Sequence, residues 1–188
     1  MILVVLIYLG IFYASLRFGK WLSHRFIFIA KLGEHIYTKK LDQLNTSPFF
    51  SPLRKAINES SLLKAITCIF PLILIKSIAF YYMSFVLITP IVLISQGIVM
   101  GSLFVYSVRQ TKNNQHLKTI TFWQLSSHII AASYGTLKGL EWLFSDSFKY
   151  SFLKGTNYNM FLFLILTLLT ALIASYFEAK SIILKDNF

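Results

Sequence analysis

The chain is poor in cysteine, in carboxylates and in punctuation. Its single cysteine, Cys68, lies in an apolar run. One thiol excludes an internal disulfide and any metal site built from cysteine pairs. Only seven Asp and Glu residues occur among 188. They stand singly, mostly at the edges of apolar segments, so grouped carboxylates for acid–base chemistry or for caging a cation are missing. No Gly/Ser-rich or Pro-rich linker, low-complexity block or internal repeat divides the chain, which predicts one domain. GxSxG, HExxH, CxxC and the phosphate-cradling glycine loops are also missing. No catalytic residue, cofactor or metal ion is therefore expected.

What is abundant is apolar surface. Hydrophobic residues make up 56% of the sequence and charged residues only 13%, against about 25% charged in soluble domains. A soluble core of this size has no room for so much apolar surface, whereas lipid accepts it. The formal net charge is +11. In a soluble protein this would suggest nucleic acid first. Here it reads as the basic loops of a membrane protein, so the expected partner is the bilayer and not nucleic acid.

The longest apolar stretch, Lys64 to Val108, has Lys76 as its only charge between those ends. A helix needs about 20 apolar residues to cross a bilayer, so this stretch predicts two spans, 64–81 and 85–108, joined near Phe80–Ser84. Gln96 lies in the second, followed by Gly97-x-x-x-Gly101, a face bare enough for another helix to approach closely. Further spans are expected over 2–18, 120–144 and 159–177. Gly10 and Ala14 suggest a small-residue contact face on the first. The fold class is thus all-α, a polytopic helix bundle of about five spans.

Residues 19–62 form the main polar segment. Leu22, Phe26, Ile29 and Ile36 recur at helical spacing and predict an amphipathic helix, which the two prolines of Ser47–Pro52 must interrupt. Lys31, Lys39, Lys40, Arg54 and Lys55 make this segment the candidate docking platform for a cytoplasmic partner; the plainer reading is a solvated or lipid-facing surface.

The fourth span is more polar. At 100° per residue, Gln124, Ser127, His128, Ala131, Gly135, Lys138 and Trp142 share a face, opposite Ile129, Ile130, Leu137, Leu140 and Phe144. The polar, small face should enter the bundle and the apolar face should meet lipid. His128 is an intramembrane ionisable group, either bonded to a neighbouring helix or used in proton relay. Lys138 and Glu141 are three apart and can pair. Lys76 is expected to snorkel near the outer end of its span. Glu178, at the cytoplasmic end of the last span, is expected to cap against Arg109 or Lys180, or to pair with a neighbouring helix. Ser126, Ser127 and His128 are adjacent in sequence, but successive helical residues point in different directions, which argues against a nucleophile–base pair among them.

With five spans, basic segments 19–62 and 109–119 and the Lys180/Lys185 tail all fall on one side. The positive-inside rule makes that side cytoplasmic, giving a multi-pass cell-membrane protein with its N-terminus outside and C-terminus inside.

Three pieces resemble the stage II sporulation protein M family of integral membrane proteins. Ser95-Gln96-Gly97-Ile98-Val99-Met100-Gly101 is similar to that family's Asn-Gly-x-x-x-Gly pattern, with Gln for Asn. His128 matches the His of a His-Gly-x-x-Glu pattern, with Ile129 and Ala132 in place of its Gly and Glu. Ala171 to Glu178 is similar to an Ala-rich final span ending in Glu. The resemblance covers about residues 55–182. It implies a non-catalytic subunit of a larger membrane complex, working in peptidoglycan remodelling during engulfment or in circular-bacteriocin export, alongside other membrane subunits and an ATPase. The alternative from the residues themselves is an ion- or proton-coupled transporter or channel acting as a homo-oligomer.

Overall fold

The structure, a computed structural model, describes residues 2–110, 115–143 and 156–185. It does not describe the side chains of Ala30, Tyr37, Lys40, Leu41 and Leu44, nor those of 106–110, 115–117, 156–159 and 184–185. Residues 111–114 and 144–155 and the Lys185 side chain therefore lie outside the described residues. Every described element is helical: α1 (Ile2–Arg25), α2 (Ile27–Thr46), a 3-10 turn (Pro48–Phe50), α3 (Ser51–Asn58), α4 (Leu62–Phe85), α5 (Thr89–Gln110), α6 (Gln115–Leu143) and α7 (Thr156–Lys185).

Three helical stretches are long and apolar enough to cross a membrane: Ile2–Arg25, Leu62–Phe85 and Met160–Ile183. The apolar part of α5, Thr89–Val105, is shorter, and α6 is too polar to join them. Small hydroxyls share the interior with the apolar core, and large apolar side chains also stand outside. Ser77, Ser84, Ser102, Ser127, Ser133 and Ser175 are fully buried, while Leu63, Ile75, Ile91 and Phe161 stand outside at 62–75% exposure. In water such a surface would aggregate; lipid surroundings permit it. The buried hydroxyls bond mostly back to their own helix, as Ser23 does to the Gly19 carbonyl and Ser133 to the Ile129 carbonyl. Among the described residues no buried side-chain polar atom lacks a partner, as a low-dielectric solvent demands.

The helices form two packed sets. One is α1 lying along α5, with α2 against the far half of α5; the other is the bundle of α4, α6 and α7, with α3 under the start of α4. The hairpin expected from Lys64 to Val108 is therefore present in sequence but splayed in space, since α4 and α5 scarcely touch. Its turn is also later than expected: α4 runs through Phe80–Ser84, and the chain reverses at Val86–Ile88, with Leu87 at φ 60°. Pro90 then occupies the first turn of α5, where its missing N–H costs nothing.

Glycine sets both principal contacts. A Cβ on Gly97 would overlap Ser15 Oγ, one on Gly101 the Leu16 carbonyl oxygen, and one on Gly19 the Ile98 carbonyl oxygen. These place the backbones of α1 and α5 in direct contact. Gly135 and Gly139 do the same for α6 against the Tyr81 and Phe85 carbonyls of α4. The expected contact face at Gly10 and Ala14 is not used. Gly10 has open space beside it, because α1 turns Phe12, Ser15, Leu16, Gly19 and Ser23 inward instead.

Two further expectations are corrected. The apolar side of α6 does not face lipid. Ile129 and Leu137 are buried at 1% and 3% exposure, because α6 is surrounded by α1, α4 and α7, whereas Trp142 of the expected inner face stands 68% exposed. The amphipathic helix through Leu22 and Ile36 is two helices. The backbone turns extended at Phe26 (φ −121°, ψ 112°), and α2 docks through Gly33 onto Ser102 of α5.

Two polar contacts tie the sets together near the Val86–Ile88 end. The Tyr8 and Thr136 hydroxyls of α1 and α6 are 2.5 Å apart, and Ser84 and Thr89 join α4 to α5, also at 2.5 Å. An apolar cluster of Tyr8, Phe12, Phe80, Leu93, Ile129 and Ala132 joins them further, although α4 and α5 scarcely touch.

Substituting leucine at Gly101 or at Gly135 should each cost about 2 kcal/mol or more, the penalty of overpacking a rigid contact. Leucine at Gly10 should cost nothing measurable. Reversible unfolding in mixed micelles checks this, and equal stability of all three variants would contradict the packing described.

Candidate functional site

The parting of the two sets leaves a cleft of about 230 Å3. Its polar lining comes from Lys76 of α4, Ser95 and Gln96 of α5, and Thr121, Gln124 and His128 of α6; Phe12 of α1 contributes an apolar wall. Of the residues expected inside the bundle, Gln96 and His128 reach this cleft. Gly97, Gly101 and Gly135 serve the helix contacts, and Ala131 is buried at 9% exposure.

His128 is held from two directions. Phe80 stacks on its ring, with centroids 5.0 Å apart and planes within 4°, and its Nδ1 lies 3.0 Å from Ser77 Oγ. Ser77 in turn lies 2.8 Å from Ser127 Oγ and donates to the Ile73 carbonyl. Ser77 and Ser127 have one hydroxyl proton each, and each also faces a backbone carbonyl, Ile73 for Ser77 and, at 3.3 Å, Thr167 for Ser127. Ser77 and His128 are thus at hydrogen-bonding distance, as a nucleophile and base would be. But Ser77 is 1% exposed, and an aromatic ring rather than a carboxylate orients the imidazole. The arrangement works as structural glue between α4 and α6.

Glu178 joins α7 to the cleft. Gln124 Nε2 donates to Glu178 Oε2 at 2.5 Å, the interhelical pairing that was one of the expected alternatives. Lys180 instead lies over the Tyr176 ring, and the Arg109 side chain is outside the described residues. Lys138 and Glu141 pair at 2.8 Å, half-buried on α6.

Lys76 is the residue that its sequence position misplaced. It does not lie near the outer end of its span. Nine residues separate it from Phe85, so its Cα is about 13 Å from that end of α4. Helical side chains lean towards the N-terminus of their helix, which carries the Lys76 stem further from the nearer end and towards Gln96 and His128. Among the described residues neither Lys76 nor Gln96 has a hydrogen-bond or ion-pair partner.

Of the expected docking residues, Lys31, Lys39 and Lys55 are exposed, and the Lys40 side chain is outside the described residues. Arg54 is half-buried and donates to the Ser47 carbonyl at 2.8 Å, bracing the bend between α2 and α3. At the next corner Lys64 pairs with Glu59, a contact that holds the Glu59 carboxyl below its usual range.

Comparison with protein-family models, with curated proteins and with solved structures finds no match to this chain.

Ser77→Ala should destabilise the bundle by about 1 kcal/mol, the cost of leaving buried partners short of a bond. In the Ser77→Ala/His128→Phe double variant the ring stack survives and the orphaned nitrogen is gone. Its loss should therefore be smaller than the sum of the two single losses. Micelle unfolding of the four proteins checks this; strict additivity would remove the Ser77–His128 bond from the account.

Proposed function

We propose that the chain is a non-catalytic, multi-pass membrane subunit of a transport, export or cell-envelope assembly. The observation that carries this reading is the polar cleft lined by α4, α5 and α6, opened where α4 and α5 scarcely touch. Two rigid sets meeting at a polar seam form a body in which a polar group can sit at membrane depth, out of lipid. The hydroxyls around the cleft serve as packing bonds, and the carboxylate Glu178 is engaged by Gln124, which leaves little for bond-making chemistry.

In this reading five helices cross the bilayer. α5 and α6 are carried by their neighbours, since a helix largely enclosed by protein needs less apolar surface than one facing lipid. The basic segments 19–62 and 109–119 lie in the cytoplasm, the N-terminus lies outside and the C-terminus inside. The exposed lysines of α2 and α3 are the surface offered to a cytoplasmic partner such as an ATPase. The resemblance to the sporulation protein M family supports the subunit role. His128 in the cleft wall favours a second reading, a proton-coupled transporter working as a homo-oligomer.

Two measurements test this. Single cysteines placed at residues 3, 50, 87, 112, 150 and 187 in a Cys68→Ser background should label with an impermeant reagent alternately from outside and inside, starting outside. Any two consecutive positions on one side would reject five spans. A tag on the cytoplasmic tail, with gentle extraction from native membranes, should recover stoichiometric membrane subunits. Recovery as a pure homo-oligomer would instead favour the transporter, and pH-dependent flux lost in His128→Ala would establish it.

A further inference from the structure

The cleft has more to say than that it exists. Lys76 is a cation about midway along a lipid-length helix, exposed to the cleft, and among the described residues no hydrogen bond or ion pair engages it. The two carboxylates within the helices that form the bundle are committed elsewhere, Glu141 to Lys138 and Glu178 to Gln124. Glu34, Asp42 and Glu59 lie on α2 and the α3–α4 corner, away from the cleft. A charge at such depth is expensive unless paired. Beside Lys76, Gln96 brings an amide whose two N–H groups are also without a partner. Ser95 is not available as a donor, since its hydroxyl goes to the Val92 carbonyl.

We infer that Lys76 and Gln96 form an intramembrane site for an oxyanion, a carboxylate or a phosphate. The ammonium supplies the charge and up to three donors, and the carboxamide supplies two more from the facing helix. A volume of about 230 Å3 exceeds the ~150 Å3 that admits benzene in an apolar cavity, so a phosphate, a small organic acid or one lipid headgroup fits. The apolar walls from Phe12, Val99 and Leu103 lower the local dielectric, which strengthens the charge-assisted bonds. Glu178 does not line the cleft; it takes the amide of Gln124 in the cleft wall. The inference names the class of group that the proposed transport cleft would receive. It rests on the cleft being a working surface, and not on whether the chain acts alone or in an assembly.

The test uses the full chain in nanodiscs, with two arms that separate the sources of the oxyanion. In phosphatidylcholine discs, inorganic phosphate and acetate are titrated calorimetrically at constant ionic strength. In the second arm, phosphatidylglycerol replaces part of the lipid and its retention per protein is measured by phosphorus analysis after exchange. Saturable binding in the first arm identifies a free anion, and retention only in the second identifies a headgroup; either supports the site. Lys76→Met should weaken that binding about tenfold or more, Gln96→Leu less, and Lys76→Arg should retain it. The exposed Lys118→Met should change nothing, and unchanged helix content of each variant confirms folding. Binding in neither arm, or binding equal in the wild type, Lys76→Met and Gln96→Leu, overturns the inference. A co-purification that finds no partner leaves the binding result standing, so the two proposals fail separately.

Discussion

Backbone contact between α1 and α5 at Gly19, Gly97 and Gly101 is the constraint on which the rest of the molecule depends. Where side chains are removed from both sides, two helices approach until carbonyl oxygens meet Cα atoms, a distance at which dispersion and weak Cα–H···O bonds act together. Once α5 is committed to α1, it cannot also lie along α4, its neighbour in sequence. The three-residue link at Val86–Ile88 then becomes a corner between two bodies. The second glycine pair, Gly135 and Gly139, commits α4 to α6 by the same means. The cleft is what remains when two tight unions are made and the space between them is not filled.

The same geometry explains why the interior is so polar. Serine and threonine are small enough for close-packed helices, and their hydroxyls return to the carbonyl one turn back, so burying them leaves nothing unsatisfied. Large apolar residues fall on both sides: Phe12, Phe80 and Leu93 fill the core, while Ile75, Ile91 and Phe161 stand outside. Tyr8 and Thr136 at one place, and Ser84 and Thr89 at another, use this vocabulary across helices instead of within them. They lie near the same end and join the two sets there.

Much of this was legible in the sequence, and the failures have physical causes. The Gly97/Gly101 spacing, and Gly135 on the small face of α6, marked real contacts, because a bare helix face has little use except close approach. Gly10 and Ala14 show the same spacing without a contact, since nothing in a spacing says whether a partner arrives. The helical class and the three long apolar runs followed from hydropathy. The placement of α6 did not, because a helical wheel assumes one lipid face, and a helix with neighbours in α1, α4 and α7 has too little lipid surface to impose one. Ile129 and Leu137 are therefore core residues, although their side of the wheel looked outward.

Lys76 lies further from the end of α4 than the expected span placed it, because the helix runs on to Phe85. Counting residues to the nearer helix end suggested an escape to the interface, but the direction of a helical side chain matters as much as its depth. α4 presents its N-terminus at the Leu62 end, so the Lys76 stem leans away from the nearer boundary at Phe85. Reaching that boundary would require the chain to bend back along its own helix. Leaning the favoured way brings it into the cleft that Gln96 of α5 and His128 of α6 also line. The cost of a charge at that depth and the gap left by the splayed helices thus fall at the same point. A lysine on a lipid-length helix would be difficult to keep at any other position along this face, and a gap between these helices would be difficult to keep open without a polar group to wet it.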